Sequence, residues 1–172
     1  MHTHTLSPEE LSCLEGCRTY TQYKHMRCQF ENRVCPFCTI DPEVNTILLV
    51  DEFVQCWHVN EVFMRPELLL HFIITPKRHL RFPWEMRRAE HVSIAWATEQ
   101  LAMHYPLAGG IIATRFGDMR LNAGTVPHLH VNIMVPNRTD KVKVPVFKDS
   151  KERKDNQARA AAFAARYESS DS

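Results

Sequence analysis

Between Pro127 and Pro136 polar and aliphatic residues alternate: His128, His130 and Asn132 against Leu129, Val131 and Ile133. In a strand of period two, the three polar side chains share one face and the aliphatic ones face the core. Asn45 to Val50 and Phe53 to Val59, flanking Asp51-Glu52, read as a hairpin. Leu68 to Thr75 is a continuous apolar run suited to a central strand, and Ile111 to Phe116 predicts another. Lys141 to Phe147 alternates as an edge strand, the one place in a sheet that tolerates Pro145. Elsewhere the spacing is helical. Ser7-Pro8-Glu9-Glu10 has the form of a capping box, and Leu11, Leu14, Cys17, Arg18, Thr21, His25 and Cys28 recur at helical spacing, predicting a surface helix from Pro8 to Gln29. Val92, Ala95, Trp96, Leu101 and Met103 stripe a second helix from Pro83 to Tyr105, which Pro106 and Gly109-Gly110 end. Ser150 to Tyr167, rich in Lys, Glu, Arg and Ala, predicts a solvated helix before a frayed acidic and serine tail.

Five or six strands and two substantial helices joined by short connections predict an α+β fold, one antiparallel sheet with helices packed on it. The expected organisation is an N-terminal helical extension over 1–33, a main domain over 34–148, and a charged, Ala-rich helix and tail over 149–172. A chain of 172 residues, 44% of them hydrophobic, suffices for one sizeable core. With 21 basic and 20 acidic residues the net charge is +1, which gives no global case for nucleic acid or an acidic membrane as partner, so any anion site must be local. Neither a run of about eighteen apolar residues nor a secretory-type amino terminus is present, and the expectation is a soluble, cytoplasmic protein.

Candidate chemistry gathers at strand ends. Cys35-Pro36-Phe37-Cys38 has the two-residue gap that lets both thiolates reach one tetrahedral ion. His79, closing Pro76-Lys77-Arg78-His79, and His128 are histidines near prolines at the ends of predicted strands, which makes four potential zinc ligands. Spacing alone leaves Cys35 and Cys38 open as a redox pair and His79 as an exposed turn residue. Cys13 and Cys17 lack a matching second pair. If metal pins His128, then His130 two residues on is aimed rigidly, as a nucleophile or base requires. Asn122 and the amides around Gly124 are candidate donors to phosphate oxygens, and Thr125 carries a hydroxyl at the mouth of the same strand; ordinary turn chemistry is the alternative for these positions.

Asn122-Ala123-Gly124-Thr125-Val126-Pro127-His128-Leu129-His130-Val131-Asn132, with Pro76-Lys77-Arg78-His79 and Cys35-Pro36-Phe37-Cys38 upstream, resembles a histidine-triad (HIT) protein over roughly Val34 to Pro136. The resemblance implies a HIT-like fold and an attack by His130 on a nucleotide α-phosphorus, giving a covalent nucleotidyl-histidine. It also implies a leaving-group role for Thr125, phosphate binding by Asn122, and a zinc site of Cys35, Cys38, His79 and His128. The third triad position is Asn132, a neutral amide for phosphate in place of histidine, with the loss of a cation. Where the family often has an acidic residue for the ribose hydroxyls stand His58-Val59-Asn60, so nucleoside recognition by His58 is expected to differ. Members are often homodimers, which makes a second copy the implied partner.

Three functions follow as alternatives. One is a zinc-containing nucleotide hydrolase or nucleotidyl transferase, with a nucleotide or dinucleoside polyphosphate as substrate. The second is a HIT-like nucleotide-binding module with little or no catalysis because Asn132 replaces the third histidine. The third is a zinc-stabilised interaction protein whose Lys151 to Arg166 segment binds RNA or a partner, a reading that Glu152, Asp155 and the alanines dilute.

Overall fold

The computed structural model describes Leu6, Ser7 and residues 10–122, 124–137 and 149–170. The described residues divide into two compact units, Ile40–Gly117 with His128–Val144, and Met1–Thr39 with Asp118–Pro127 and Pro145–Ser172.

The first unit is built on the five-stranded sheet that the α+β reading expects. Its strands are β1 (Ile47–Val50), β2 (Val54–His58), β3 (Leu68–Pro76), β4 (Ile111–Arg115) and β5 (His130–Pro136), in the order β1-β2-β3-β5-β4. All neighbours are antiparallel. The turn between β1 and β2 forms because the Asp51 carboxylate accepts from the backbone N–H groups of Phe53 at 2.8 Å and Val54 at 2.7 Å. The continuous apolar run makes β3 the central strand, buried between β2 and β5. The possible sixth strand, Lys141 to Phe147, lies outside the described residues.

Register divides the sheet into two chemically different faces. Val54, Cys56, Phe72, Ile74, Val131 and Ile133 form one buried face with Ala97 and Leu101 of α2 (Arg88–His104), each large side chain contributing about 1.5–3 kcal/mol. The alternate positions of β5, His130 and Asn132, point the other way.

The second expected helix proves to be a 3-10 turn, Pro83–Glu85, followed by α2. Its start is set by Glu90, 3% exposed, whose carboxylate accepts from Arg87 N–H at 2.6 Å and from the Arg78 guanidinium at 2.9 and 3.1 Å. Burial alone would push the Glu90 carboxyl up, but these bonds and the Arg78 charge outweigh it and hold it below the usual carboxylate range. A depressed folded-state pKa contributes stability above the unfolded carboxylate pKa and loses it as pH falls through the folded value. Glu90→Gln should therefore cost about 1–3 kcal/mol in denaturant melts at neutral pH. The gap should narrow as pH falls through the depressed folded-state value and the native carboxylate is protonated too. An equal gap at neutral and acid pH would mean that shape, not charge, holds Glu90.

In the second unit the expected helix from Pro8 to Gln29 is replaced by a 3-10 turn, Leu14–Gly16, and α1 (Tyr20–Glu31). Ser7 N–H does donate to the Glu10 carboxylate at 2.8 Å. The helix nonetheless begins at the stronger local signal, Thr19, whose hydroxyl accepts from Gln22 N–H at 3.1 Å. α3 (Met119–Asn122) is a single turn, and α4 (Ser150–Ser170) runs past the expected end at Tyr167. α4 was expected as a solvated helix, yet Phe163 packs against Tyr20 and Tyr23 at centroid distances of 5.9 and 5.6 Å. Arg166 also lies 3.9 Å over the Tyr20 ring. No helix among the described residues is long and apolar enough to cross a membrane.

Candidate metal centre and candidate active site

The cysteine knuckle follows from how α1 ends. Asn32 caps the helix, Arg33 takes a left-handed φ of 54°, and Val34 N–H returns to Gln29 carbonyl at 2.9 Å. The chain then turns again, with Cys38 N–H donating to the Cys35 carbonyl at 3.1 Å, which brings the two side chains to one side of a tight loop. The hydrogen bond to Cys35, followed by partial burial, pushes the Cys38 thiol well above its ordinary range. The pair therefore holds a proton that a cation would release.

His79 sits on the turn after β3, a turn fixed by Lys77 N–H to Phe53 carbonyl at 2.8 Å and by the Arg78–Glu90 pair. His128 is fully buried, and its Nε2 lies 2.9 Å from the Pro76 carbonyl. A carbonyl only accepts, so Nε2 carries the hydrogen and Nδ1 keeps the lone pair. The two imidazoles meet edge to face, with centroids 4.9 Å apart.

Cys35 and Cys38 offer a thiol pair in one unit, and His79 and His128 offer an imidazole pair in the other. Two thiolates and two imidazoles are a donor set that tetrahedral structural zinc takes. The donor chemistry and spacing suit structural zinc, as the sequence led us to expect, and the Pro76 carbonyl supplies the outer bond that orients a ligating histidine.

Beyond His128 the strand presents His130, 6% exposed. Its Nδ1 lies 2.7 Å from the His128 carbonyl, so Nδ1 donates and Nε2 is left with the lone pair. Burial pushes His130 down to about 4, against the pull of the His128 carbonyl and aided by the charges of Arg115, His128 and His71. Burial thus favours the neutral imidazole at physiological pH. Asn132 is engaged at both ends of its amide. Its Oδ1 accepts from His71 Nε2 at 3.0 Å, and its Nδ2 donates to the Ala113 carbonyl at 3.3 Å.

His71, the residue that holds the Asn132 amide, was not singled out in the sequence. Its signal was a single polar residue interrupting the apolar run of β3, on the face of Ile73, which pairs with Asn132. Arg115 was overlooked too; as the last residue of β4 it pairs directly with His130.

Asn122, Gly124 and Thr125 form a loop of their own. The Asn122 side-chain oxygen accepts from Gly124 N–H at 2.9 Å. Gly124 has no room for a side chain, since a Cβ would meet the Met119 sulfur and lie 2.8 Å from Asn122 Oδ1. The Thr125 carbonyl accepts from Cys13 N–H at 2.7 Å.

His58, expected to take part in nucleoside recognition, is not set beside the polar comb of His130 and Asn132. By register it pairs with Phe72, on the face that α2 covers, and its ring stands edge-on to Phe72 at 5.2 Å. The structure therefore does not bring it to the face of His130 and Asn132.

No family model and no curated protein matches the chain. Among solved structures it is similar to a HIT family hydrolase from Clostridium thermocellum, 24% identical over 64% of this chain and 96% of the other, with a TM-score of 0.47. It is also similar to a zinc-bound histidine triad family protein from Mycobacterium smegmatis, 23% identical over 78% and 96% of the two chains, with a TM-score of 0.47. A third likeness is to a histidine triad nucleotide-binding protein from Sulfolobus tokodaii, 20% identical over 75% and 91%, with a TM-score of 0.44.

Proposed function

We propose that this chain is a histidine-triad nucleotide hydrolase or nucleotidyl transferase that works at an α-phosphate through His130, beside a structural zinc held by Cys35, Cys38, His79 and His128. The observation that carries the reading is the 2.7 Å bond from His130 Nδ1 to the His128 carbonyl, which fixes the tautomer and keeps the ring's lone pair on Nε2. Bound zinc supplies folding energy and immobilises the segment entering β5, so that the nucleophile is held before substrate arrives.

In the proposed reaction His130 Nε2 forms a bond to the α-phosphorus while the phosphorus–leaving-group bond breaks, the leaving atom taking the electron pair and a proton that the Thr125 hydroxyl relays from solvent water. Water or another acceptor then attacks the phosphorus, loses its proton, and returns the electron pair to Nε2. Asn122 and the Gly124 amide bind phosphate oxygens in this scheme. Asn132 keeps its place in the triad, but its amide is held by His71 and Ala113, so His71 supplies the imidazole that the triad position lacks. A nucleotide or dinucleoside polyphosphate fits as substrate. The half-open edge of the sheet, where β4 exposes Ile111 at 46% and Ile112 at 62%, supports pairing with a second copy.

Trapping tests the reading. Native protein mixed with a panel of nucleoside triphosphates and dinucleoside polyphosphates and quenched in seconds should carry a nucleotidyl mass on the His130 peptide, absent from His130→Ala. If no nucleotide yields the adduct but several bind, the chain is a binding module and the catalytic reading fails.

A further inference from the structure

The triad face lacks the cation that a third histidine would lend, and β4 places one there. β4 ends at Arg115, paired Cα to Cα with His130, as Ala113 is with Asn132. Residues directly opposite in an antiparallel pair point to the same face, with Cβ atoms about 4.5–5.5 Å apart. The guanidinium stem of Arg115 therefore starts beside the His130 imidazole, on the face that His130 and Asn132 share.

Two further facts distinguish Arg115 from a solvated strand-end arginine. Its side chain is half-buried, and burial together with the like charge of Arg65 lowers its pKa, though a guanidinium stays protonated throughout the physiological range. The guanidinium fork matches two phosphate oxygens at once, which no lysine or amide does.

We propose that Arg115, set opposite His130 across the β4–β5 pair, contacts substrate and binds the non-bridging oxygens of the phosphate that His130 attacks. This inference rests on the His130 reading and deepens it. The charge that disperses over those oxygens at the transition state is met by a cation from β4, while Asn132, held by His71, orders the middle of the face. Thr75, fully buried, falls opposite His130 on the other side when the β3–β5 register is carried one residue on from Ile74 and Val131. The nucleophile thus lies between a closed flank and a cationic one.

The test separates phosphate recognition from structure. Native protein, Arg115→Gln and Arg115→Lys are each titrated calorimetrically with AMP, GMP, CMP and UMP and with the four nucleosides, thermal melts establishing that each variant is folded. Arg115→Gln should weaken the preferred monophosphate roughly tenfold or more and leave the matching nucleoside unchanged, with Arg115→Lys between the two. Equal weakening of nucleoside and monophosphate, or of neither, overturns the proposal even if His130 traps a nucleotide. Absence of monophosphate binding by native protein overturns it as well, and an accompanying absence of the His130 adduct would place the failure in the underlying reading. Should Arg115→Gln not fold, the Arg115→Lys ratio decides by the same criterion.

Discussion

Cys35→Ser should lower zinc from about one ion per chain to a small fraction and reduce the melting temperature by roughly 10 °C or more. The size follows from the metal's place in folding. Structural zinc in small domains is worth on the order of 10 kcal/mol in apparent binding energy, and losing one of four ligands forfeits a large part of it. For a chain of this length each kcal/mol moves the melting temperature by about 2–4 °C. Cys35 also lies in the apolar cluster of Leu6, Cys17, Tyr23, Met26 and Val126, so a serine there costs something even without a metal. Cys38 separates the two effects, because it is exposed and outside that cluster. Cys38→Ser should lose zinc as fully as Cys35→Ser while disturbing no core, and added zinc should restore neither variant. A full zinc complement in Cys38→Ser would show that the ligand set is wrong.

Why the zinc pair and the triad face were legible while their neighbours were not is a matter of range. Cys35-x-x-Cys38 declares itself because two residues of chain fix the separation of two thiols. His130 and Asn132 declare a shared face because strand period is local, whereas His128, read as the third member of that face, stands in a bend before β5 begins. The strands themselves were readable for the same reason, to within a residue or two at their ends. Which strand lies beside which is set by long-range register, and so His71 could not be matched to Asn132, nor Arg115 to His130. His58 shows the converse: its place in the chain suggested a site contact, but pairing with Phe72 commits it to the core face. Burial lowers its pKa there, with Glu61 opposing. Two helices were misjudged because local signals competed with tertiary ones. Ser7 and Glu10 make their expected bond without starting a long helix, and the charged composition of α4 hid Phe163 and Tyr167, which pack into the N-terminal cluster.

His130→Ala should remove turnover by on the order of 10³-fold or more, since a covalent route without its nucleophile keeps only what binding and positioning supply. It should leave zinc content at about one ion per chain, because the ligands lie elsewhere. A stability loss of about 1–3 kcal/mol is expected, as the His128 carbonyl loses the donor that meets it at 2.7 Å. That combination differs from the outcome for His71→Ala. There the Asn132 amide oxygen loses its partner but Nε2 of His130 stays in place, so turnover should fall by about 10–100-fold, in the range seen when an orienting partner is lost. The ordering of the two variants is the discriminating result. If His71→Ala matched His130→Ala, the imidazole on β3 would be doing the chemistry. If His130→Ala turned over substrate like native protein, the nucleophile would lie elsewhere and the triad comb would be a binding surface. Native protein that binds nucleotide yet turns none over would assign that same role to the comb, with Asn132 the natural residue to replace by histidine next.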